Sequence, residues 1–220
     1  LNVEDVFSTY LYEGNGSTQT ITNGIDLDGE GGLVWLKQRT GAGLQHVLYD
    51  TERGSDSALF TALTNGAVTS GGTYTTTFNS GGFTTNTSGS NVNNSGEDNA
   101  SWTFRKAPKF FTCLTYTGNG VNGRTVSHNL GSVPGCMIVK GTSSATNWYV
   151  YHTDTGNGFD LFLNSTIPKN PANTWYYTDP TSTEFTLSST RANQNGVEYV
   201  AYLFAHNDGD GEFGPDGDAD

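Results

Sequence analysis

Residues 10–16 read Tyr-Leu-Tyr-Glu-Gly-Asn-Gly, and residues 114–120 read Leu-Thr-Tyr-Thr-Gly-Asn-Gly. Other strings recur in the same order: 34–37 with 137–140, 47–51 with 149–153, 59–60 with 161–162, 82–84 with 184–186, 91–93 with 193–195, and 101–104 with 201–204. An ordered series of this kind indicates that one structural unit occurs twice, as in spacers and repeated binding surfaces. We therefore expect residues 10–105 and 114–205 to share one strand order.

The composition favours a β protein. The chain has 220 residues, of which 29 are glycine, 15% are charged and 12% are aromatic. That aromatic content is too high for a disordered chain. Apolar residues come in short alternating runs bounded by Gly, Asn, Asp and Pro, which is typical of strands and turns. The sequence predicts an all-β fold of two tandem antiparallel repeats, each a β-sandwich or jelly roll.

The predicted boundaries follow the repeats: a first β-sandwich over 1–106, a second over 107–206, and an acidic Gly/Asp linker over 207–220. The basic residues Arg105, Lys106 and Lys109 lie at the joint between the repeats and are interpreted as solvated. Three tryptophans inside strand runs are predicted to be core residues: Trp35, Trp102 and Trp148.

The charge and the cysteines exclude several functional classes. The net charge is −12, so the chain lacks the basic stripe that nucleic-acid binding requires, and it would be repelled by anionic membranes. No apolar run is long enough for membrane insertion. Cys113 and Cys136 have no counterparts in the first repeat, so two free thiols are preferred over a disulfide.

No catalytic constellation is visible. There is no Gly-x-Ser-x-Gly elbow and no His-Glu-x-x-His zinc helix, and no histidine recurs between the repeats. His128 precedes Asn-Leu-Gly and is interpreted as a turn cap, and His152 is expected to share a hydrogen-bonding role with Asp50. Paired carboxylates serve glycosidases, and the candidates are Asp26, Asp28, Glu30, Asp50 and Glu52. Because the second repeat does not keep them, we expect solvated turns and no enzyme activity.

The densest aromatic group is the best candidate for a ligand site. It comprises Trp175, Tyr176 and Tyr177, with Asp179 close behind. Sugar C–H faces stack on aromatic rings while neighbouring carboxylates or amides bind the hydroxyls, so these four residues could bind a glycan. The alternative is that Trp175 and Tyr177 alternate into the core.

The acidic end of the chain is the only candidate metal site. Carboxylates separated by glycines suit a hard cation such as Ca²⁺, and they are Asp208, Asp210, Glu212, Asp216, Asp218 and Asp220. The spacing fails the EF-hand pattern, so a self-repelling extended linker is the preferred interpretation. No other cofactor is expected.

Several strings resemble a known repeat: residues 124–135 and 137–140 in the second copy, 30–37 and 46–54 in the first, and 195–205 at the end. They are similar to a domain of about a hundred residues found in tandem in tail-fibre-like and other virion structural proteins of marine bacteriophages, cyanophages included. The resemblance implies a lectin-like module with no defined activity, and a further copy after Asp220. The Thr/Ser/Asn-rich stretch at 64–96 departs from the pattern, so the loops of the two copies are expected to differ.

The function expected from this resemblance and from the residues is that of a non-enzymatic virion surface or fibre module, used for host attachment or as a fibre spacer. Its expected partners are other virion proteins, a host surface glycan and further copies of itself. One alternative is a capsid or tail decoration protein. The other is a glycan depolymerase, which would need two carboxylates converging in one cleft.

Overall fold

The structure is a computed structural model, and it describes residues 2–41, 45–69, 76–85 and 92–206. About 45% of the described residues are in strands, and the same residues contain one short α-helix. The strands form several antiparallel sheets. The prediction of an all-β, sandwich-like fold is therefore confirmed.

The first repeat contains a short helix and eight strands: α1 (Val3–Val6), β1 (Phe7–Glu13), β2 (Gln19–Thr22), β3 (Gly32–Gln38), β4 (Val47–Asp50), β5 (Leu59–Phe60), β6 (Thr76–Asn79), β7 (Gly82–Thr85) and β8 (Asp98–Arg105). The second repeat contains β9 (Phe111–Thr117), β10 (Arg124–Ser127), β11 (Pro134–Gly141), β12 (Trp148–His152), β13 (Phe159–Phe162), β14 (Asn170–Pro171), β15 (Glu184–Leu187) and β16 (Glu198–Ala205). A single 3₁₀ turn, Arg191–Asn193, precedes β16.

Both repeats have the same strand order. The larger sheet runs β1-β8-β3-β4-β5 in the first repeat and β9-β16-β11-β12-β13-β14 in the second. The smaller sheet pairs β2 with β7 in the first repeat and β10 with β15 in the second. The common order that the repeated strings predict is confirmed. Two differences are visible among the described residues. In the first repeat, β6 adds a third strand to the small sheet, and an isolated Ala58–Val68 bridge stands where the second repeat has β14.

Each core contains side chains from both sheets of its repeat. In the first repeat, Val34 and Leu36 of β3 share a buried cluster with Phe83 of β7. Trp35 lies between them in sequence and is only half-buried, because successive strand residues point to opposite faces. Trp102, its cross-strand partner, is half-buried too. Of the three tryptophans predicted to be core residues, only the third, at the start of β12, is fully buried.

The compact units follow the repeats with one exception. Chain contacts divide the molecule between Lys106 and Ala107, but Leu63–Gly66 belongs to the second unit although it follows β5 in sequence. The predicted linker over 207–220 lies outside the described residues. The hairpin loops predicted between 64 and 96 are described only in part.

The repeated Gly-Asn-Gly string closes each repeat with the same hydrogen bonds. In the second repeat, Tyr116 donates its hydroxyl proton to the Ala192 carbonyl (2.7 Å), and the Asn119 amide N–H donates to Asn193 Oδ1 (2.9 Å). A Cβ added to Gly118 would lie 2.1 Å from the Gln194 carbonyl oxygen. The first repeat has the same contacts, Tyr12 to Val92 (2.7 Å), Asn15 to Asn93 (3.1 Å) and Gly14 against Asn94. The motif is structural and requires no ligand.

Replacing Gly118 with alanine is therefore expected to destabilise the second repeat by about 3 kcal/mol, at the upper end of overpacking effects. The methyl group would overlap a backbone carbonyl, so the backbone itself must move. Hydrogen exchange, which resolves the two repeats, is the measurement. Gly81→Ala is the control, since its nearest neighbour is 4.0 Å away. Equal protection of the backbone amides in the two variants would contradict a structural role for the close approach of Gly118 to Gln194.

The two cysteines do not form a disulfide; Cys113 is buried and Cys136 is half-buried. They lie on β9 and β11, which flank β16 on its two edges. Strands two places apart in a sheet are about 10 Å apart, beyond the reach of a disulfide. Burial raises the pKa of the Cys136 thiol to about 11, so this thiol stays protonated and unreactive at neutral pH.

Candidate functional site

The second repeat carries an open concavity of about 640 Å³ at the end of β12. Its lining comes from the end of β12, from the turn that joins β12 to β13, and from the loop that precedes β15. The side chains used below are Tyr151, Thr153, Asn157, Phe159 and Asp179. Polar loop side chains on a rigid sandwich are a usual arrangement for recognition.

A carboxylate and an amide form the polar part of this concavity. Asn157 Nδ2 donates a hydrogen bond to Asp179 Oδ1 (2.8 Å), which orients both side chains. Tyr151 lies beneath them and is 3% exposed. Burial raises the pKa of Tyr151, and the Asp179 charge raises it further. The phenol therefore remains a hydrogen-bond donor. Asp179 is the only carboxylate among the lining residues.

Two exposed tyrosines stand beside the concavity in a strained backbone conformation. Tyr176 and Tyr177 have φ angles of 50° and 52°, and their exposed fractions are 41% and 67%. Left-handed conformations of non-glycine residues cost energy and cluster at functional sites. A Cβ built on Gly158, which lines the concavity, would lie 4.0 Å from Tyr177 Cδ1. The Tyr177 ring therefore forms part of the rim.

Local hydrogen bonds hold this turn. The Tyr176 amide N–H donates to the Asn173 carbonyl (2.9 Å), and the Thr178 amide N–H donates to the Trp175 carbonyl (3.0 Å). The Tyr176 ring packs on Gly123, where a Cβ would meet ring atom Cε1 at 3.1 Å. Tyr176 is therefore an internal support of the turn, whereas the Tyr177 ring faces solvent.

Trp175 does not belong to the exposed site. It is 1% exposed, belongs to the core cluster and makes an edge-on contact with the Tyr151 ring at 5.7 Å. Its indole cannot stack on a sugar while it is buried, so its assignment as a ligand-binding residue is corrected. Of the four predicted ligand residues, Tyr177 and Asp179 lie at the concavity, Tyr176 supports the turn, and Trp175 lies beneath it.

Sequence reasoning missed Asn157, although a signal was present. Residues 155–158 read Thr-Gly-Asn-Gly, as residues 117–120 do, but they follow β12 rather than β9. Gly156 has a φ of 74°, which lets the turn double back and places Asn157 at the Asp179 carboxylate. Phe159 follows directly, and Lys169 Nζ lies 4.6 Å from its ring centroid.

The first repeat has a smaller concavity at the corresponding place, with a volume of about 350 Å³. The repeated strings align three of its lining residues, Thr51, Ser55 and Thr77, with Thr153, Asn157 and Asp179. The amide and the carboxylate are thus replaced by hydroxyls. The two repeats share a scaffold, but the Asn–Asp pair belongs to the second alone.

Three of the five carboxylates considered for catalysis have structural partners, and a fourth, Asp28, lines the smaller concavity of the first repeat. Asp50 is fully buried, and its Oδ2 accepts a hydrogen bond from Arg53 Nε at 2.6 Å. Glu52 Oε1 lies 2.7 Å from Lys106 Nζ, and Asp26 Oδ1 accepts the backbone N–H of Gly29 at 2.8 Å. These side chains close turns and do not converge on the larger concavity, whose lining contains none of them.

Two histidines serve as turn caps. His128 Nδ1 accepts the Leu130 amide N–H (3.3 Å), as the sequence predicts. His152 Nδ1 accepts the Asp154 amide N–H (3.2 Å), and Asp50 does the equivalent for Arg53 (2.9 Å) after β4. The shared hydrogen-bonding role expected of Asp50 and His152 is confirmed. Burial lowers the pKa of His128, which favours the neutral ring that accepts this bond.

No group of three metal-ligating side chains occurs in the part of the chain that the structure describes. The six carboxylates of the predicted Ca²⁺ site, Asp208 to Asp220, lie outside that part, so the choice between a metal site and a linker stays a prediction. Among the described residues, none of the helices is long and apolar enough to cross a membrane.

A family model described as "Domain of unknown function (DUF7483)" matches residues 2–217. The chain belongs to this family. The match to DUF7483 spans both repeats. Comparisons with curated proteins and with solved structures gave no match.

Proposed function

We propose that this chain is a non-enzymatic saccharide-binding module of a virion surface or fibre protein, and that it attaches the particle to a host glycan. The observation that carries the proposal is the Tyr177 ring, 67% exposed, beside the Asn157–Asp179 pair. Strained left-handed residues persist only where the surrounding structure fixes them, and they cluster at functional sites.

The geometry suits a sugar ring. The face of Tyr177 offers a flat surface for sugar C–H groups, and its burial by a ligand adds a hydrophobic contribution. The Asp179 carboxylate is acceptor-only and has about four lone-pair sites, of which Asn157 Nδ2 uses one. Amide and carboxylate groups in a fixed relative orientation discriminate the positions of hydroxyl groups.

The placement on a virion rests on the resemblance of the repeats to phage tail-fibre-like proteins and on the tandem architecture. A chain with 10 Lys and Arg residues offers few trypsin-like cleavage sites, and a net charge of −12 favours solubility of an exposed particle protein. The partners in this proposal are other virion proteins and a host surface glycan.

The alternatives make different demands on the same surface. A depolymerase needs two carboxylates about 5 to 10 Å apart in one cleft, and the larger concavity is lined by Asp179 alone among carboxylates. A decoration protein would bind the capsid or tail through an apolar face and would leave the Tyr177 site unused. Binding by the Tyr177 site therefore separates the proposal from both alternatives.

Tyr177→Ala is expected to weaken saccharide binding by about 1–3 kcal/mol, the range for loss of an aromatic anchor. The probe is an array of bacterial surface polysaccharides, followed by calorimetry with each polysaccharide that binds. Thermal stability should be unchanged because the ring is 67% exposed. Tyr10→Ala is the matched control, since Tyr10 is 39% exposed, belongs to the first repeat and is not among the residues that line the concavity.

Asp179→Asn tests the polar half of the site, because the amide keeps the shape and removes the charge. A loss similar to that of Tyr177→Ala would support one site that contains both residues. If no polysaccharide binds, or if Tyr10→Ala and Tyr177→Ala reduce binding equally, the proposed site is wrong. Release of reducing ends from a bound polysaccharide would instead favour the depolymerase.

A further inference from the structure

The loops that follow β5 and β13 correspond residue for residue. At their start, the Thr61 amide N–H donates to the His46 carbonyl, and the Leu163 amide N–H donates to the Trp148 carbonyl, both at 3.2 Å. At their end, the loops close with equivalent pairs, Ala58 with Val68 and Asp160 with Asn170. The two loops therefore have equal length and equal anchoring, so their tips can be compared directly.

The tip of the first loop is docked. Residues 63–66 belong to the second unit, where Trp148 Nε1 donates to the Leu63 carbonyl (3.1 Å). Lys140 Nζ donates to the Thr64 carbonyl, also at 3.1 Å. Lys140 and Trp148 are both fully buried. The docked tip thus supplies backbone oxygens to an ammonium and an indole N–H, which would be costly to bury without acceptors.

The tip of the second loop, residues 165–168, is exposed along its whole length. It carries Ile167, whose side chain is 53% exposed. By the residue correspondence, its Ser165 and Thr166 carbonyls are the equivalents of the Leu63 and Thr64 carbonyls.

The first repeat has the matching pair of donors. The repeated strings align Lys37 with Lys140 and place His46 at the position of Trp148. Trp35 Nε1 lies 2.9 Å from His46 Nδ1, and an indole nitrogen only donates. His46 Nδ1 is therefore unprotonated, and Nε2 carries the proton. Burial lowers the pKa of His46, and the charge of the nearby Lys37 lowers it further, which favours this neutral form.

We propose that the 165–168 tip of one molecule docks on the Lys37–His46 surface of a second copy of the chain. The imidazole Nε2–H replaces the indole N–H as donor to the Ser165 carbonyl, and the Lys37 ammonium replaces that of Lys140. The 165–168 tip and the Lys37–His46 surface are different parts of the chain. The contact is therefore head-to-tail, and it builds open chains or rings.

One sequence difference between the two loops limits how closely the 165–168 tip can approach the Lys37–His46 surface. Gly66 packs so tightly that an added Cβ would lie 2.5 Å from the Thr142 carbonyl oxygen, and Pro168 holds the equivalent place. Residues 165–167 therefore make the contact with the Lys37–His46 surface, and Ile167 supplies its apolar part. The contact joins two molecules, so association depends on concentration.

Sedimentation velocity of the full chain, from low micromolar to near-millimolar concentration, tests the proposal. Wild type is expected to associate, and Ile167→Lys to weaken association at least about tenfold, because the new cation meets Lys37. Val121→Lys is the matched control, since Val121 is 57% exposed and the charge change is identical. A monomeric wild type at all concentrations, or equal effects of the two variants, overturns the proposal.

A mixing experiment identifies the surfaces. Chains carrying Thr166→Cys are mixed with chains carrying Lys37→Cys under mild oxidation, and a disulfide-linked heterodimer is expected. Glu30→Cys replaces Lys37→Cys in the control mixture, because Glu30 is exposed and does not belong to the Lys37–His46 surface. Cross-linking in the first mixture alone supports the head-to-tail contact; equal yields in the two mixtures overturn it.

Discussion

Asp50→Ala is expected to lower the free energy of unfolding of the first repeat by about 3–5 kcal/mol, the cost of breaking a buried ion pair on one side. Asp50 is fully buried and Arg53 is 5% exposed, with Nε and Oδ2 2.6 Å apart. Arg53 also donates to the Ser57 carbonyl (2.8 Å) and hydroxyl (3.1 Å), which fix the guanidinium in place. Without Asp50 the buried guanidinium loses the carboxylate that pairs with it.

Denaturant titration followed by hydrogen exchange of each repeat measures this loss, since a tandem chain need not unfold in a single step. Asp154→Ala is the control, because its side chain is 85% exposed and its removal should change stability by less than about 0.5 kcal/mol. Asp50→Asn keeps an acceptor for the Arg53 amide and should lie between the two. Equal stability of Asp50→Ala and Asp154→Ala would show that Asp50 is not a structural residue.

The strand order could be predicted from sequence because it depends on local patterns that recur. Alternation along β3 and β11 sets which residues face the core, and the recurring Tyr-x-Gly-Asn-Gly string marks the same closing turn in each copy. Turn capping by His128 was predictable for the same reason, because its acceptor role involves a neighbour two positions away. Contacts within a few residues leave a signature in the sequence.

The candidate site could be predicted only in part, because its geometry breaks the alternation. A strand-like pattern would place Trp175 and Tyr177 on the same face. Two consecutive left-handed residues, Tyr176 and Tyr177, reverse the chain so that Trp175 points inward, Tyr176 packs on Gly123 and Tyr177 points outward. The Asn157–Asp179 contact joins two loops that are distant in sequence, and no local pattern encodes such a pairing.

Trp175→Ala is expected to destabilise the second repeat by about 3–5 kcal/mol, as for other truncations of a large aromatic side chain in a core. Trp175 is 1% exposed, and its ring contacts that of Tyr151 beneath the concavity. The cavity left by the indole lies directly under the turn that carries Tyr177. Saccharide binding is therefore lost as well, through loss of the turn rather than loss of a contact.

Trp175→Phe separates these two effects, because phenylalanine refills most of the space and removes an indole N–H that has no acceptor among the described residues. This variant should lose clearly less stability than Trp175→Ala and should retain binding, since Tyr177 and Asp179 remain presented. Thermal unfolding and calorimetry of the same preparations give both quantities. If Trp175→Ala abolished binding with an unchanged melting temperature, the indole would be a ligand contact. The buried position would then be only one of two conformations of the loop, and Tyr177 would have to share the role of aromatic platform with Trp175.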